Sequence, residues 1–284
     1  MLDKETIDRV VTEALHEDAP TGDITSLLAI TEDATATAVL AAREPGTFSG
    51  ADVFEAAFRL TDSRITVELL KKDGDRFVPG DKLARVSGPA RGILTAERIG
   101  LNFTQRMSGI ATLTATYVDA IKGTGATILD TRKTTPNLRA FERHAVVCGG
   151  GTNHRLNLST AFMAKDNHLA VLLAGGKDLT TELQRVKTEL PAGVKFEVEV
   201  DRLDQIEPVI AGGVDIIMLD NFSLADLKTG VAQVAGRAVV EASGGVNLDT
   251  VRAIAETGVD VISVGALTHS ARALDLGLDV SIDA

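Results

Sequence analysis

Between Asp130 and His168 the chain concentrates the residues best able to do chemistry, in three segments: DTRKTTPNLR (130–139), GGGTNHR (149–155) and MAKDNH (163–168). Arg132, Lys133, Arg139, His154, Arg155 and Lys165 supply six cationic or protonatable side chains there, within a protein whose formal net charge is -11. Any one such side chain reads as a solvated surface residue, since Lys and Arg are mostly exposed. Three separate segments that each set cations beside Gly, Asn or Asp read differently. Clefts lined by one sign of charge focus field on an oppositely charged ligand, so this cluster predicts a site for a polyanion. Arg grips carboxylate or phosphate with a planar, bidentate fork, and the glycine run at 149–151 permits close backbone approach.

Carboxylates and small-residue turns complete the set. Glu199 ends the apolar run KFEVEV and Asp220 ends VDIIMLD. EVEV alternates, so Glu197 and Glu199 point to one face of a strand. Carboxylates inside a parallel sheet need a partner: a Lys or Arg, a divalent cation, or positive charge developing on a substrate. Two further segments suit phosphate. EASGGVNLDTVRAIAETG offers Ser243 and Gly244 in a turn, then a helix expected to start near Asn247, whose free N–H groups would favour an anion. DVISVGALTHS adds Gly265 and His269 at a second strand end.

The elements that must hold these residues can be read from the pattern. Residues 2–16 have Ile7, Val10, Val11, Ala14 and Leu15 at helical spacing. From Ala34 to Gly88, short extended segments cut by Gly46, Gly50, Gly74, Pro79-Gly80 and Gly88-Pro89 predict an antiparallel sheet. LTAERIGLNFTQRMSG (94–109) predicts a helix with Arg98, Asn102 and Gln105 on one face. Six apolar runs follow, at 126–131, 161–165, 195–200, 214–220, 238–243 and 260–265, mostly separated by amphipathic helical stretches. Each ends in polar, charged or glycine residues. Alternating strands and helices predict a parallel sheet, and an α/β barrel carries its active site at the C-terminal ends of its strands. With six strands legible, the expectation is an incomplete barrel.

Composition excludes several classes. No apolar run approaches the roughly 20 residues of a membrane span. The N-terminus MLDKETIDRVVTEALHED is amphipathic and acidic, unlike a secretory signal or a transit peptide. Acidic balance, one Tyr and no Trp argue against a nucleic-acid groove with stacking platforms. Cys148 is the single cysteine, so no intrachain disulfide forms and a reducing cytoplasm fits. With His144 four residues away it reads as a buried spacer thiol in preference to a nucleophile.

In the order TAERIGLNFTQRMSGIAT, DTRKTTPNLRAFERHAV, GGGTNHRLNL, AKDNH, EVEV, IMLDN, ASGG and GVDVISVGALTHS, the sequence resembles the quinolinate phosphoribosyltransferases across essentially its whole length. The resemblance implies an N-terminal α/β sandwich domain (1–109), to which the tail 272–284 returns, and an open parallel α/β barrel with phosphate-binding loops (110–271). It implies a cytoplasmic homodimer that joins quinolinate to phosphoribosyl pyrophosphate with loss of CO2, with Mg2+ as cofactor. Arg132, His154, Arg155 and Lys165 match the family's quinolinate cage, and Arg98 the arginine given across the dimer. Lys133 matches a lysine near the reacting groups. Glu199 and Asp220 match the acidic pair facing ribose and Mg2+, and Ser243, Gly244, Gly265 and His269 the surroundings of the 5-phosphate. Asn137 stands where the family usually has Gly, and Asn tolerates the left-handed backbone; Phe141 and His144 lie in a stretch that also departs. A related transferase acting on nicotinate, or a lyase forming a Schiff base through Lys133 or Lys165, are the competing readings.

Overall fold

A computed structural model describes residues 2–283, which divide into two compact units. One takes residues up to 115, 134–150 and from 267 on; the other takes 116–133 and 151–266. The first unit opens with α1 (Lys4–Asp18), capped by the Asp3 carboxylate, which accepts from Thr6 N at 2.8 Å. Its apolar stripe, Ile7, Val10 and Val11, is buried. Asp23 caps α2 (Ile24–Ala29) by accepting from Thr25 N and Ser26 N. Then follow β1 (Thr35–Ala42), β2 (Gly46–Thr47), α3 (Ala51–Thr61), β3 (Thr66–Leu69), β4 (Arg76–Phe77), β5 (Lys82–Pro89) and α4 (Ala90–Ala120). β1 pairs antiparallel with β5, β5 with β3, and β2 with β4. Phe48, Phe54, Phe58, Leu40, Leu83 and Ile93 are fully buried in this unit.

The α4 helix runs well past the expected 94–109, so position 109 lies in its interior. Gly109 and the threonine-rich stretch after it are poor helix formers, yet burial overrides the propensity. Thr104, Ser108 and Thr114 are fully buried, and the hydroxyls of Thr104 and Thr114 donate to the carbonyls of Gly100 (2.7 Å) and Ile110 (2.8 Å) one turn back.

In the second unit, β6 (Thr127–Leu129), β7 (Ala161–Ala164), β8 (Lys195–Val200), β9 (Ile216–Asp220), β10 (Val239–Ser243) and β11 (Val261–Ser263) form one parallel sheet in the order β6-β11-β10-β9-β8-β7. The outer strands β6 and β7 do not pair with each other, so the barrel is open. α5 (Arg139–Cys148) follows β6 and counts with the first unit. α6 (Asp166–Leu172), α7 (Leu179–Glu189), α8 (Ile206–Ala211), α9 (Leu224–Val234) and α10 (Val251–Ala255) lie between the remaining strands. α10 begins at Val251, four residues beyond the expected start. The Asn247 side chain accepts from Asp249 N (2.9 Å) and Thr250 N (3.1 Å), and this local turn delays the helix.

Alternation gives the sheet two unlike faces. Phe196, Val198, Val200, Ile217, Leu219, Val240, Ala242 and Ile262 fall on one and are buried. Glu197, Glu199, Met218, Asp220, Glu241 and Ser243 fall on the other, with Glu199, Met218 and Glu241 in one row across β8, β9 and β10. An apolar face packs; the opposite face is left for chemistry.

The chain then enters α11 (Ala266–His269) and ends in β12 (Leu276–Asp283), antiparallel to β1 from Thr35↔Asp283 to Ala42↔Leu276. On the way, Leu274 N donates to Gln105 O (3.0 Å) and Gln105 Nε2 donates to Leu276 O (2.8 Å). A Cβ at Gly109 would lie 1.9 Å from the Arg272 carbonyl oxygen. Gly109→Ala is therefore expected to cost at least about 1–3 kcal/mol, the range for overpacking against backbone. Chemical denaturation reads this directly, and a wild-type midpoint in the variant would refute the close crossing.

Candidate active site

The cationic segments meet because one loop runs beside β6. Thr152 N donates to Ile128 O (2.8 Å), Asp130 N donates to Thr152 O (3.1 Å), and the fully buried Asp130 carboxylate accepts from His154 N at 2.6 Å. This lashes Asn153-His154-Arg155 to the strand end that carries Arg132. Arg155 is half-buried, and its Nη1 donates to Ala161 O at 3.2 Å. Burial, and next the charge of Arg132, hold its guanidinium below its ordinary pKa. Arg132 Nε is buried and meets no hydrogen-bond acceptor. Two arginines confined against their mutual repulsion form a place suited to an anion.

Under the cations lies a buried acidic floor. His154 Nε2 is 3.1 Å from Glu197 and 3.8 Å from Glu241, both carboxylates being almost wholly buried. Desolvation opposes charge on His154, but the hydrogen bond and charge of Glu197, with the charge of Glu241, outweigh it and raise the imidazole above 6.5. Lys165, at the end of β7, is paired with Glu199 at the end of β8. The Ser263 hydroxyl donates to Glu241.

Glu241 sets a pH dependence. Burial first, and then the charge of Glu197, push its carboxyl from 4.5 up to about 7. Between those values the unfolded chain releases a proton that the folded protein keeps, so stability falls as pH rises through the window. The His154 contribution has the same sign, present below 6.5 and lost as pH rises through its raised value. Glu241→Gln, still able to accept from Ser263, is expected to flatten the fall in stability from pH 5 to 7.5. Denaturation midpoints across that range test it; a slope equal to wild type would refute the buried charge.

At the ends of β9 and β10, Asn221 is the keystone. Its Nδ2 donates to Asp220 Oδ2 (2.6 Å), and its N–H donates to Ser243 O (2.9 Å) from a left-handed backbone with φ 58°. Gly244, at φ 95°, passes so close that a Cβ would lie 2.1 Å from Asn221 Oδ1. Glycine is required there by both conformation and space.

Most of the expected site residues therefore share the second unit: Arg132, Lys133, His154, Arg155, Lys165, Glu199, Asp220, Ser243, Gly244 and Gly265. Lys133 is exposed, its N–H donating to Thr131 Oγ1. Arg98 and His269 belong to the first unit. Arg98 is exposed and lines a cavity of about 320 Å³ with Asp18, Asp23, Ile24 and Thr95. His269 is exposed, 2.7 Å from Ser270 Oγ. Arg139 turns back to Thr134 Oγ1 (3.0 Å), bracing its own loop. Asn137 in that loop adopts φ 66°, the conformation expected of it in place of glycine.

Family models match both parts of the chain: the quinolinate phosphoribosyl transferase N-terminal domain over residues 23–108 and the C-terminal domain over 110–279. The chain belongs to the quinolinate phosphoribosyltransferase family. It is 42% identical over 278 residues to the nicotinate-nucleotide pyrophosphorylase [carboxylating] of Mycobacterium leprae, covering 95% of each chain. It is 40% identical to the probable nicotinate-nucleotide pyrophosphorylase [carboxylating] of Bacillus subtilis, over 94% of this chain and 90% of that one. Among solved structures it is similar to NadC from Streptococcus pyogenes, with TM-score 0.94, 39% identity, and 100% and 99% of the two chains covered. The resemblance read in the sequence is thus established, as is an open parallel sheet joined to an antiparallel N-terminal one.

Sequence reasoning gave no site role to Asp130, Glu197, Glu241 or Asn221, though it placed Glu197 on the same strand face as Glu199. Glu197 and Glu241 carried a signal: each sits two residues before a polar strand end, on the inward side of an alternating strand. Asp130 and Asn221 act through backbone tethers that no spacing rule reports.

Proposed function

We propose that the protein transfers the phosphoribosyl group of phosphoribosyl pyrophosphate to quinolinate with decarboxylation, giving nicotinate mononucleotide, CO2 and pyrophosphate in NAD biosynthesis. The observation that carries this reading is the confinement of Arg132 beside Arg155 at the polar face of the sheet. Quinolinate has two adjacent carboxylates, and Arg132, His154, Arg155 and Lys165 are the groups that would orient both. The ring nitrogen then attacks C1 of the ribose as pyrophosphate leaves. Glu199 and Asp220 would face the positive charge that develops at that carbon. Ser243, Gly244, Gly265 and His269 would surround the 5-phosphate. Once ribosylated, the pyridinium withdraws electrons, the 2-carboxylate leaves as CO2, and Lys133 is the proposed proton donor to C2.

Glu199 and Asp220 also fit Mg2+. They offer hard oxygen donors at the ends of neighbouring strands, and both are only partly buried, as suits an ion held by one or two carboxylates and substrate phosphates. When bound, Mg2+ supplies neutralisation of the pyrophosphate charge.

A homodimer is part of the proposal. Arg98 is exposed beside Ile24, and on α2 the apolar Ile24, Leu27 and Leu28 are 71%, 50% and 83% exposed. A patch of that kind favours burial against a partner, and Arg98 would then complete the partner's quinolinate cage. Among the described residues no helix is long and apolar enough to cross a membrane, and a reducing cytoplasm suits the single thiol.

The test is incubation with phosphoribosyl pyrophosphate, Mg2+ and either quinolinate or nicotinate, following mononucleotide and CO2 together. Equal yields of mononucleotide and CO2 from quinolinate alone are expected. Turnover of nicotinate in preference to quinolinate would overturn the substrate assignment.

A further inference from the structure

We propose that Asp73, His144 and Cys148 form a Zn2+-binding site in the first unit, separate from the residues assigned to substrate. His144 and Cys148 sit one turn apart on α5, the i, i+4 spacing that puts two ligands on one helix face. Asp73 comes from the loop between β3 and β4 and is fixed in place, because its Oδ1 accepts from Gly50 N (2.9 Å) and Ala51 N (3.0 Å). His144 Nε2 already lies 2.5 Å from Asp73 Oδ2, and the imidazole also hydrogen-bonds to Cys148. One ligand atom from each residue falls within 4.8 Å of the others.

The geometry suits a tetrahedral ion. Donors at roughly 2.0–2.3 Å from zinc sit about 3.3–3.8 Å apart, so the His144–Asp73 contact would open by about 1 Å while Oδ1 keeps its two backbone donors. Sulfur, imidazole and carboxylate together match zinc, whereas Mg2+ takes oxygen alone. All three residues are partly exposed, so an ion can enter and water can complete the fourth position. The hydrogen bond to Asp73 pushes the His144 imidazole up to about 10, so as Zn2+ binds both the imidazolium and the thiol protons leave, and His144 ligates as neutral imidazole and Cys148 as thiolate. The expected spacer thiol is in fact hydrogen-bonded and reachable, and the loop carboxylate that engages its histidine lies 75 positions up the chain from it.

The single cysteine makes the test specific. Metal-free full-length protein is titrated with Co2+ while absorbance is followed, and with Zn2+ while the rate of disulfide-reagent attack on the thiol is followed. One equivalent per chain, a thiolate-to-cobalt charge-transfer band and at least about tenfold protection of the thiol by Zn2+ are expected. His144→Ala should weaken Zn2+ binding at least about 100-fold, since even outer-shell partners are worth roughly 10–100-fold. Asp73→Asn should weaken binding less while circular dichroism reports an intact fold. Binding without the charge-transfer band, unprotected thiol at saturating Zn2+, or unchanged affinity in His144→Ala would overturn the proposal. None of these readouts uses turnover, so they stand apart from the phosphoribosyl reading.

Discussion

Replacing Arg155 with alanine is expected to weaken quinolinate binding by about 2–5 kcal/mol, roughly 30- to 5,000-fold, without destabilising the fold. The first half follows from burial: a carboxylate drawn into this pocket and left without its guanidinium has given up water for nothing in return. The second half follows from repulsion. Arg155 is held against desolvation and against Arg132, so removing it relieves much of what it loses, the losses including its bond to the Ala161 carbonyl and its attraction to Glu197. Stability within about 1 kcal/mol of wild type is expected. Calorimetric titration with quinolinate, beside a denaturation curve, checks both. Arg155→Lys should recover only part of the affinity, because a point charge replaces a planar fork. Quinolinate affinity within about threefold of wild type in Arg155→Ala would remove it from the cage.

The same pair shows where sequence was legible. DTRK announced cations at a strand end and NHR cations after a glycine run, and the six apolar runs announced the open sheet, because period-two alternation and charge survive in one dimension. The link between the two cationic segments did not. It rests on Thr152 pairing with β6 and on Asp130 accepting from His154 N, contacts between positions 24 apart that leave no periodic trace. The α4 helix was cut short in the reading at Gly109 for a similar reason. Glycine there serves the passage of Arg272, a tertiary cause that propensity cannot express. Asn137 was readable, because its left-handed backbone is a local property of the residue itself. Glu199 was legible as an acid needing a partner, but whether that partner was Lys, Arg or metal was open. In the folded chain Lys165 holds it.

That pairing separates binding from chemistry in a second large effect. On the proposed reading Lys165 divides its charge between Glu199 and a substrate carboxylate, so quinolinate would compete with Glu199 for the ammonium group. Glu199→Gln removes the competitor together with a charge proposed to face the reacting ribose. It is therefore expected to lower kcat by about 10²–10³-fold, the scale of losing one preorganised electrostatic group, while the quinolinate Kd stays the same or tightens. Asp220→Asn lacks the lysine partner and serves as the control. Asn221 can still hold the new side chain through the carbonyl oxygen it retains, kcat should fall comparably, and Kd should not tighten. Steady-state kinetics with equilibrium binding of quinolinate distinguish these outcomes. If Glu199→Gln weakened quinolinate binding tenfold and left kcat intact, the carboxylate would be a structural brace for Lys165, and the electrostatic role would have to rest on Asp220 alone.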